Sequence, residues 1–345
     1  MSYKIISKDY LELWRRIYLT KLYLGVDGGQ TTTAAVIADS TGRLLSAGVG
    51  GPANHIHEPG GPERVKGSLR DAIETAARAC GLADPTFEVA YLGMTGGTEL
   101  MAQICREVVP AHKVQLGHDS LIALHSVTFG KPGVVVIAGT GSVAWGRNAR
   151  GETSAAGGWG YLLGDEGSGY WIAIEGLRAA CKAEDGRSDP NTLRDGILKR
   201  LGANSMSEVH QRVYSMQLGR PEIAALAVAV GDAAALGDRA AREILRLAGI
   251  ELGHAAGVVV RRLFPPKAPV EVGTVGGVFR AGAQIMTPFR RSLHRLAPAA
   301  VIRSPQVPSA VAAVLLALAE DGIATSDDIV RNAVSSTAAL ELIKR

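Results

Sequence analysis

A hydrophobic strand that turns back through glycines and hydroxyl side chains constrains the fold of this chain most. The run from Leu24 to Thr33 reads LGVDGGQTTT, and a second apolar strand follows it directly. Glycines allow the tight turn, and the backbone amides of such a turn form a nest that suits phosphate. Because a strand rather than a helix follows, the run is neither a P-loop nor a dinucleotide-binding fingerprint. An ordinary Asp-Gly hairpin is the alternative.

A second run of the same kind favours the phosphate interpretation. The apolar strand from Val134 to Ala138 leads into Gly139-Thr140-Gly141-Ser142 and then into another strand. Two related hairpins at separate places in one chain indicate a duplicated scaffold. The sequence therefore predicts two lobes of similar build that hold one polyphosphate from two sides.

Composition limits the class of protein. With 345 residues, of which 47% are apolar, the chain can bury two cores. The net charge of +4 is small and the basic residues are dispersed, which argues against nucleic-acid binding. No run reaches the ~18 apolar residues that a membrane span needs. Three widely separated cysteines favour reduced thiols and a cytoplasmic location.

Hydrophobic periodicity and turn residues predict the order of the elements, and their alternation indicates α/β architecture. The first half is predicted to hold a strand meander over 22–50, a helix over 62–80, a strand over 88–93, a helix over 98–109, a strand over 114–119 and a helix from Asp119. The second half is predicted to hold a hairpin over 134–146, helices over 170–184, 191–201, 206–216, 221–236 and 238–263, a strand over 270–275, and helices over 280–296, 308–319 and 326–345. The segment 308–319 is expected to be buried because it is apolar almost all round.

The most specific motif runs from Gly157 to Trp171 and reads GGWGYLLGDEGSGYW. With the two hairpins, it makes the chain resemble the eukaryotic-type N-acetylglucosamine kinases and their bacterial relatives. These are grouped with the BadF/BadG/BcrA/BcrD ATPases, in the superfamily of sugar kinases, actin and heat-shock chaperone ATPases. The resemblance covers about residues 22–318. It implies two actin-like (ribonuclease H-like) α/β domains flanking a cleft for ATP, Mg²⁺ and the substrate.

The resemblance also implies a division of the chain and a homodimer. The expected parts are an N-terminal extension over 1–21, an actin-like domain over 22–131, a second one over 132–305, and C-terminal helices over 306–345 that return to the first domain. The boundary between the two domains is expected at Lys131-Pro132-Gly133.

Site residues are carried over by matching the motifs of the resemblance. The implied catalytic residue is Asp119, and Asp27 is directed toward Mg²⁺, through water. The implied nucleotide-binding residues are Gly28, Gly29, Gln30, Thr31, Thr32, Gly139, Thr140, Gly141, Ser142, Gly276, Gly277 and Val278. The expected sugar-binding residues are Asn54, His55, Thr140, Gly158, Trp159 and Asp165.

Several of these residues have a structural alternative. Asp119 suits a general base, since an acceptor hydroxyl needs a carboxylate within hydrogen-bond reach, but aspartate also caps helices. Trp159 either stacks on a sugar or packs in the core. Glu166 is interpreted as a loop carboxylate held by local amides. The turn over 94–98 either lies near substrate or only connects a strand to a helix.

The function expected from this resemblance is transfer of the γ-phosphate of ATP to an amino sugar, at O6 of N-acetylglucosamine. Glucosamine, N-acetylmuramic acid and other hexoses are alternative acceptors. An ATPase that activates a partner protein through an iron–sulfur cluster is a further alternative, and Cys80, Cys105 and Cys181 argue against it because they lack paired spacing. A nucleotide-dependent sugar sensor is the weakest alternative, because a sensor need not keep Asp27 and Asp119.

Overall fold

The computed structural model of the protein describes residues 21–53, 56–96, 98–188, 192–338 and 340. The strands are β1 (Leu22–Gly28), β2 (Thr33–Asp39), β3 (Leu44–Gly50), β4 (Phe87–Met94), β5 (Ala111–His118), β6 (Gly133–Ala138), β7 (Ser142–Arg147), β8 (Thr153–Gly157), β9 (Glu271–Val275) and β10 (Val301–Arg303). The α-helices are α1 (Gly61–Ala79), α2 (Glu99–Val108), α3 (Asp119–Thr128), α4 (Gly169–Glu184), α5 (Thr192–Leu201), α6 (Met206–Tyr214), α7 (Arg220–Ala225), α8 (Ala227–Ala235), α9 (Arg239–Leu263), α10 (Ala283–Leu296), α11 (Ser309–Glu320) and α12 (Asp327–Thr337). A short 3-10 helix spans Gly277–Ala281.

The described residues fall into two compact units. Unit 1 contains those of Met1–Ile122 and Val307–Arg345, and unit 2 contains Ala123–Gln306. The division falls inside α3, a helix without glycine or proline, so no turn signal marks it. The boundary expected at residues 131–133 differs from this division for that reason.

In unit 1 the strand order is β3-β2-β1-β4-β5. The first three strands form an antiparallel meander, and β4 and β5 continue the sheet in parallel with β1. Because side chains alternate between the two faces of a strand, Leu24 and Val26 contribute to the core with α1, while Gly25 faces α11. A Cβ atom on Gly25 would lie 2.3 Å from the carbonyl oxygen of Ala310, so this close packing requires glycine.

In unit 2 the strand order is β10-β9-β6-β7-β8. Strands β6, β7 and β8 form an antiparallel meander, and β9 and β10 continue in parallel with β6. The long helix α9 packs along α10, where Gly249 and Gly253 leave room for the α10 backbone. Counted from β1 and from β6, the two sheets therefore have the same topology, which confirms the α/β class and the duplicated scaffold predicted from the hairpins.

Most predicted helices and strands are present. The structure differs from the prediction where the sequence pattern is short or weak. Strands β8 and β10 were not predicted, because they are only five and three residues long. The helix expected over 221–236 is interrupted at Leu226, where α7 ends and α8 begins. The helix expected from residue 280 begins at Ala283, after the 3-10 helix. Helix α11 is buried along almost its whole length, as expected. Among the described residues, no helix is both long enough and apolar enough to cross a membrane.

Candidate active site

The first glycine hairpin joins β1 to β2 at one end of the unit 1 sheet. Gly28 pairs with Thr33, so the tip consists of residues 29–32. The amide of Gly29 donates to the carbonyl of Thr32 at 3.0 Å, and this bond closes the turn. The side-chain oxygen of Gln30 is buried and accepts no hydrogen bond from any described residue. A buried acceptor with no partner is costly, and here it leaves a polar group available to a ligand at the tip.

Parallel pairing brings three polar residues to the same edge of this sheet. Gly28 aligns with Met94, and Met94 aligns with His118, so β1, β4 and β5 end together. Asp27 lies at the end of β1, Thr95 directly follows β4, and Asp119 directly follows β5. Ligands of open α/β sheets bind outside the carboxyl ends of the strands, and this edge therefore has the expected position for a site.

Asp119 is held by hydrogen bonds at both carboxylate oxygens. The Thr95 hydroxyl donates to Oδ2 at 2.8 Å, and His118 Nδ1 lies 2.8 Å from Oδ1. Burial alone would raise the pKa of this carboxyl, but the His118 hydrogen bond and charge, with the bond from Thr95, hold it below its usual value. Asp119 is therefore ionised at neutral pH and able to accept a proton.

Asp27 has the opposite electrostatic character. Its side chain is half-buried in the sheet, and burial, followed by the negative charge of Asp119, raises its pKa to about 7. A cation at this edge would relieve both effects. Mg²⁺ takes one or two carboxylates and keeps several waters, so Asp27 fits the requirements of a magnesium ligand. The negative charge of Asp119 would also favour a cation there. The described part of the chain contains no group of three or more His, Cys, Asp or Glu side chains that could hold a metal ion by itself.

The second glycine hairpin joins β6 to β7 in unit 2. Ala138 pairs with Ser142, and the Gly139 amide donates to the carbonyl of Gly141 at 2.9 Å. The carbonyl of Gly139 accepts from the Gly169 amide at 2.7 Å, and that of Thr140 accepts from the Tyr170 amide at 3.3 Å. The start of α4 is therefore bound directly to the hairpin, which fixes the hairpin's position in the unit.

Asp165 lies buried beneath the tip of this second hairpin. Its backbone has a left-handed φ of 56°, and its Oδ2 accepts from Arg220 at 3.0 Å. The backbone amides of Ser142 and Gly160 also donate to its carboxylate. Burial raises its pKa, and these three donors oppose the rise. A Cβ atom on Gly141 would come within 2.8 Å of the Asp165 carboxylate, so glycine is needed at the tip for this contact.

The loop between β8 and α4 carries exposed apolar side chains. Trp159 is 75% exposed, and Leu162 and Leu163 are 80% and 81% exposed. The Tyr161 ring lies 5.0 Å from the guanidinium carbon of Arg220, in a cation–π contact. Core packing therefore does not explain Trp159, and its indole is accessible to a ligand.

The predicted adenosine segment lies against the second hairpin. Gly276, at the end of β9, has φ 113°, and its Cβ would lie 2.3 Å from the Ala138 carbonyl oxygen. Strands β6 and β9 are parallel neighbours, so residues 139–142 and 276–278 lie at the same edge of the unit 2 sheet. The side-chain oxygen of Gln284, at the start of α10, is buried without a hydrogen-bond partner among the described residues.

Some sequence-predicted residues lie outside what the structure describes, and others were missed. Asn54 and His55 are not among the described residues, so their predicted sugar contacts stay predictions. Thr95, His118 and Arg220 were not predicted as site residues. The turn over 94–98 was the only local signal for Thr95. The partner of Arg220 lies 55 residues away in sequence, so no local pattern indicates it.

The raised pKa of Asp27 leads to a prediction about the stability of the folded protein. Its folded-state pKa of about 7 lies above the unfolded value, so the folded state is penalised increasingly as pH rises from about 4 to about 7. Asp27→Asn should therefore raise the free energy of unfolding at pH 8, by up to roughly 4 kcal/mol at about 1.4 kcal/mol per pKa unit. The gain should vanish near pH 4. Urea unfolding in EDTA at both pH values measures this, with the exposed Asp84→Asn as control. A gain that is equal at both pH values would contradict it.

Comparisons with known proteins show what the chain is similar to. A model of the BadF/BadG/BcrA/BcrD ATPase family matches residues 24–317. An N-acetylmuramic acid/N-acetylglucosamine kinase from Clostridium acetobutylicum is 31% identical over 305 residues, which are 87% of this chain and 99% of the relative. An N-acetyl-D-glucosamine kinase from Dictyostelium discoideum is 29% identical over 258 residues, 70% of this chain and 80% of the relative. The crystal structure of a candidate N-acetylglucosamine kinase from Chromobacterium violaceum superposes with a TM-score of 0.72 at 27% identity, covering 86% of this chain and 99% of that one.

Proposed function

The chain belongs to the BadF/BadG/BcrA/BcrD ATPase family, and from this premise we propose that it phosphorylates N-acetylglucosamine at O6. It is an ATP-dependent amino-sugar kinase, as its kinase relatives indicate. The observation that carries the finer proposal is the position of the Asp119 carboxylate, which Thr95 and His118 hold at the same sheet edge as the β1–β2 glycine hairpin. A primary hydroxyl such as O6 is an unhindered acceptor for a base held at the end of a strand.

The chain's own residues perform the positioning that phosphoryl transfer requires. Asp119 orients the acceptor hydroxyl and takes its proton as the acceptor oxygen bonds to the γ-phosphorus. The bond from that phosphorus to the β–γ bridging oxygen breaks, and ADP leaves with the electron pair. The amides of residues 30–32 and 140–141 are the proposed donors to the phosphate oxygens, since those of Gly29, Gly139 and Ser142 donate within the protein. Asp27 would hold a Mg²⁺ ion, which would supply positive charge to offset that of the phosphates.

The sugar contacts assigned from sequence belong to this proposal. Trp159 supplies an exposed indole face on which a pyranose can stack, and Gly158 lets the loop backbone approach it. A carboxylate has about four acceptor positions, and the donors from Arg220, Ser142 and Gly160 take three of those on Asp165. One acceptor position on Asp165 is therefore left for a sugar hydroxyl. Asn54, His55 and Thr140 complete the proposed set.

A panel of acceptors tests the substrate assignment. ADP release is measured with N-acetylglucosamine, glucosamine, N-acetylmuramic acid and glucose, each at several concentrations. We expect the highest kcat/KM for N-acetylglucosamine, and mass spectrometry of the product should place the phosphate on O6. N-acetylmuramic acid is the strongest rival, because the Clostridium relative is named for both sugars. A higher kcat/KM for N-acetylmuramic acid or glucosamine would replace our choice.

An ATPase that activates a partner protein is the other candidate. It would need accessible cysteines grouped at one surface, but Cys105 is buried and burial raises its pKa to about 12. Cys80 and Cys181 are only half-buried but belong to different units. Purified protein should therefore be colourless and free of iron.

Free thiols suit a reducing compartment such as the cytoplasm, which we propose as the location. We also propose that the protein is a homodimer, which light scattering tests.

A further inference from the structure

His118 is the last residue of β5 and directly precedes the catalytic candidate. Its imidazole is 56% exposed, and its Nδ1 lies 2.8 Å from Asp119 Oδ1. At this separation a nitrogen lone pair and a carboxylate lone pair repel each other, so a proton must lie between the two atoms. The carboxylate is the stronger acid, and the proton therefore belongs to Nδ1.

With the proton on Nδ1, a second contact of the ring is not a hydrogen bond. The Ser120 amide lies 3.2 Å from the same Nδ1, but a protonated Nδ1 has no lone pair to accept from it. The contact with Asp119 is shorter and charge-assisted, so it determines the tautomer. The other ring nitrogen, Nε2, forms no hydrogen bond to any residue that the structure describes. Neutral and cationic forms of His118 can therefore both donate to Asp119.

We propose that His118 is a positioning residue for Asp119 and makes the reaction sensitive to pH. The inference rests on the proposed kinase function. Thr95, in the turn after β4, holds one oxygen of the carboxylate, and His118, at the end of β5, holds the other, to which the Ser120 hydroxyl also donates at 3.4 Å. These donors together fix the plane of the carboxylate. Fixed orientation places the remaining lone pairs toward one acceptor position, which is the condition for efficient proton transfer.

The charge on His118 controls how basic Asp119 is. The hydrogen bond to Asp119 raises the pKa of His118, against a smaller opposing effect of burial. Below that pKa the ring is a cation, and its charge stabilises ionised Asp119 and makes it a weaker base. The other charged group that faces Asp119 among the described residues is Asp27. The rate should therefore fall as pH decreases through the pKa of His118.

Two substitutions separate orientation from charge. Asparagine places its amide nitrogen where Nδ1 lies, so His118→Asn keeps the donor without a titrating charge, whereas His118→Ala removes both. We expect His118→Ala to lower kcat about tenfold or more with an unchanged KM for ATP. His118→Asn should keep kcat within a few-fold and move the acidic limb of kcat/KM for the sugar to lower pH. His112→Gln, an exposed histidine on the same strand, should match the wild type.

The measurement runs from about pH 5.5 to about pH 9, around the usual histidine pKa, at two saturating Mg²⁺ concentrations. If Asp27 caused the acidic limb of the pH–rate profile, the pH of its midpoint would shift with the Mg²⁺ concentration, whereas a limb caused by His118 would keep the same midpoint. Imidazole titration by NMR adds a readout independent of turnover, because Asp119→Asn should lower the pKa of His118. Unchanged kcat in His118→Ala, or identical limbs in the wild type and His118→Asn, would overturn the inference. Failure of the wild type to phosphorylate any sugar would instead refute the proposed function.

Discussion

The Asp119→Asn variant is expected to lose nearly all phosphoryl transfer while it keeps its affinity for nucleotide. Asparagine preserves the shape of the side chain and can still accept from Thr95, but its amide does not take up a proton at neutral pH. A positioned general base contributes about 10²–10⁴-fold to a rate, so kcat should fall by about that factor. A coupled assay of ADP release measures kcat, and calorimetric titration with a non-hydrolysable ATP analogue measures affinity.

The control for this variant is Asp84→Asn, which removes a carboxylate from an exposed position in the same unit and should leave kcat unchanged. Near-normal turnover by Asp119→Asn would remove Asp119 from the mechanism and leave helix capping as its role. An equal loss of turnover and nucleotide affinity would indicate a structural effect. Because the charge of Asp119 raises the pKa of Asp27, the variant should also lower the pKa of Asp27.

The parts of this site that could be predicted from sequence are those with a short-range signal. A strand ending in Asp-Gly-Gly fixes where β1 stops and where a tight turn must begin, so Asp27 and residues 28–32 followed from local pattern. Likewise, Gly276 was expected at a turn, and the structure requires glycine there because the Ala138 carbonyl is too close for any side chain. Buried runs such as 308–319 were also clear, because they lack a polar face.

The remaining parts depend on contacts between residues distant in sequence. The resemblance assigned Asp165 to the sugar, but its partner Arg220 begins a helix 55 residues later, and only the folded unit brings the two together. The role of Thr95 depends on the parallel pairing of β4 with β5, because this pairing places its hydroxyl beside Asp119. Periodicity identifies strands but does not give their neighbours, so these contacts were not predictable.

The Asp165–Arg220 pair leads to the second large prediction, which concerns stability. The two side chains are 5% and 16% exposed, so removal of one leaves the other charge buried without its partner. Such a change costs about 3–5 kcal/mol, and Arg220→Met should lower the free energy of unfolding of unit 2 by about this amount. The measurement is urea unfolding followed by circular dichroism. The control Arg246→Met breaks an exposed pair on α9, for which about 0.3–0.5 kcal/mol is expected.

A double variant distinguishes stability from substrate binding at this pair. Arg220→Met combined with Asp165→Asn removes both buried charges, so it should recover most of the stability lost in Arg220→Met. If Asp165 also accepts a sugar hydroxyl, the KM for N-acetylglucosamine should stay raised in the double variant, about tenfold, while the KM for ATP returns to the wild-type value. Recovery of both KM values would show that the pair only holds the loop of Trp159 against the second hairpin. No recovery of stability would show that the ion pair is not what Arg220 contributes, and its contact with the Tyr161 ring would become the explanation.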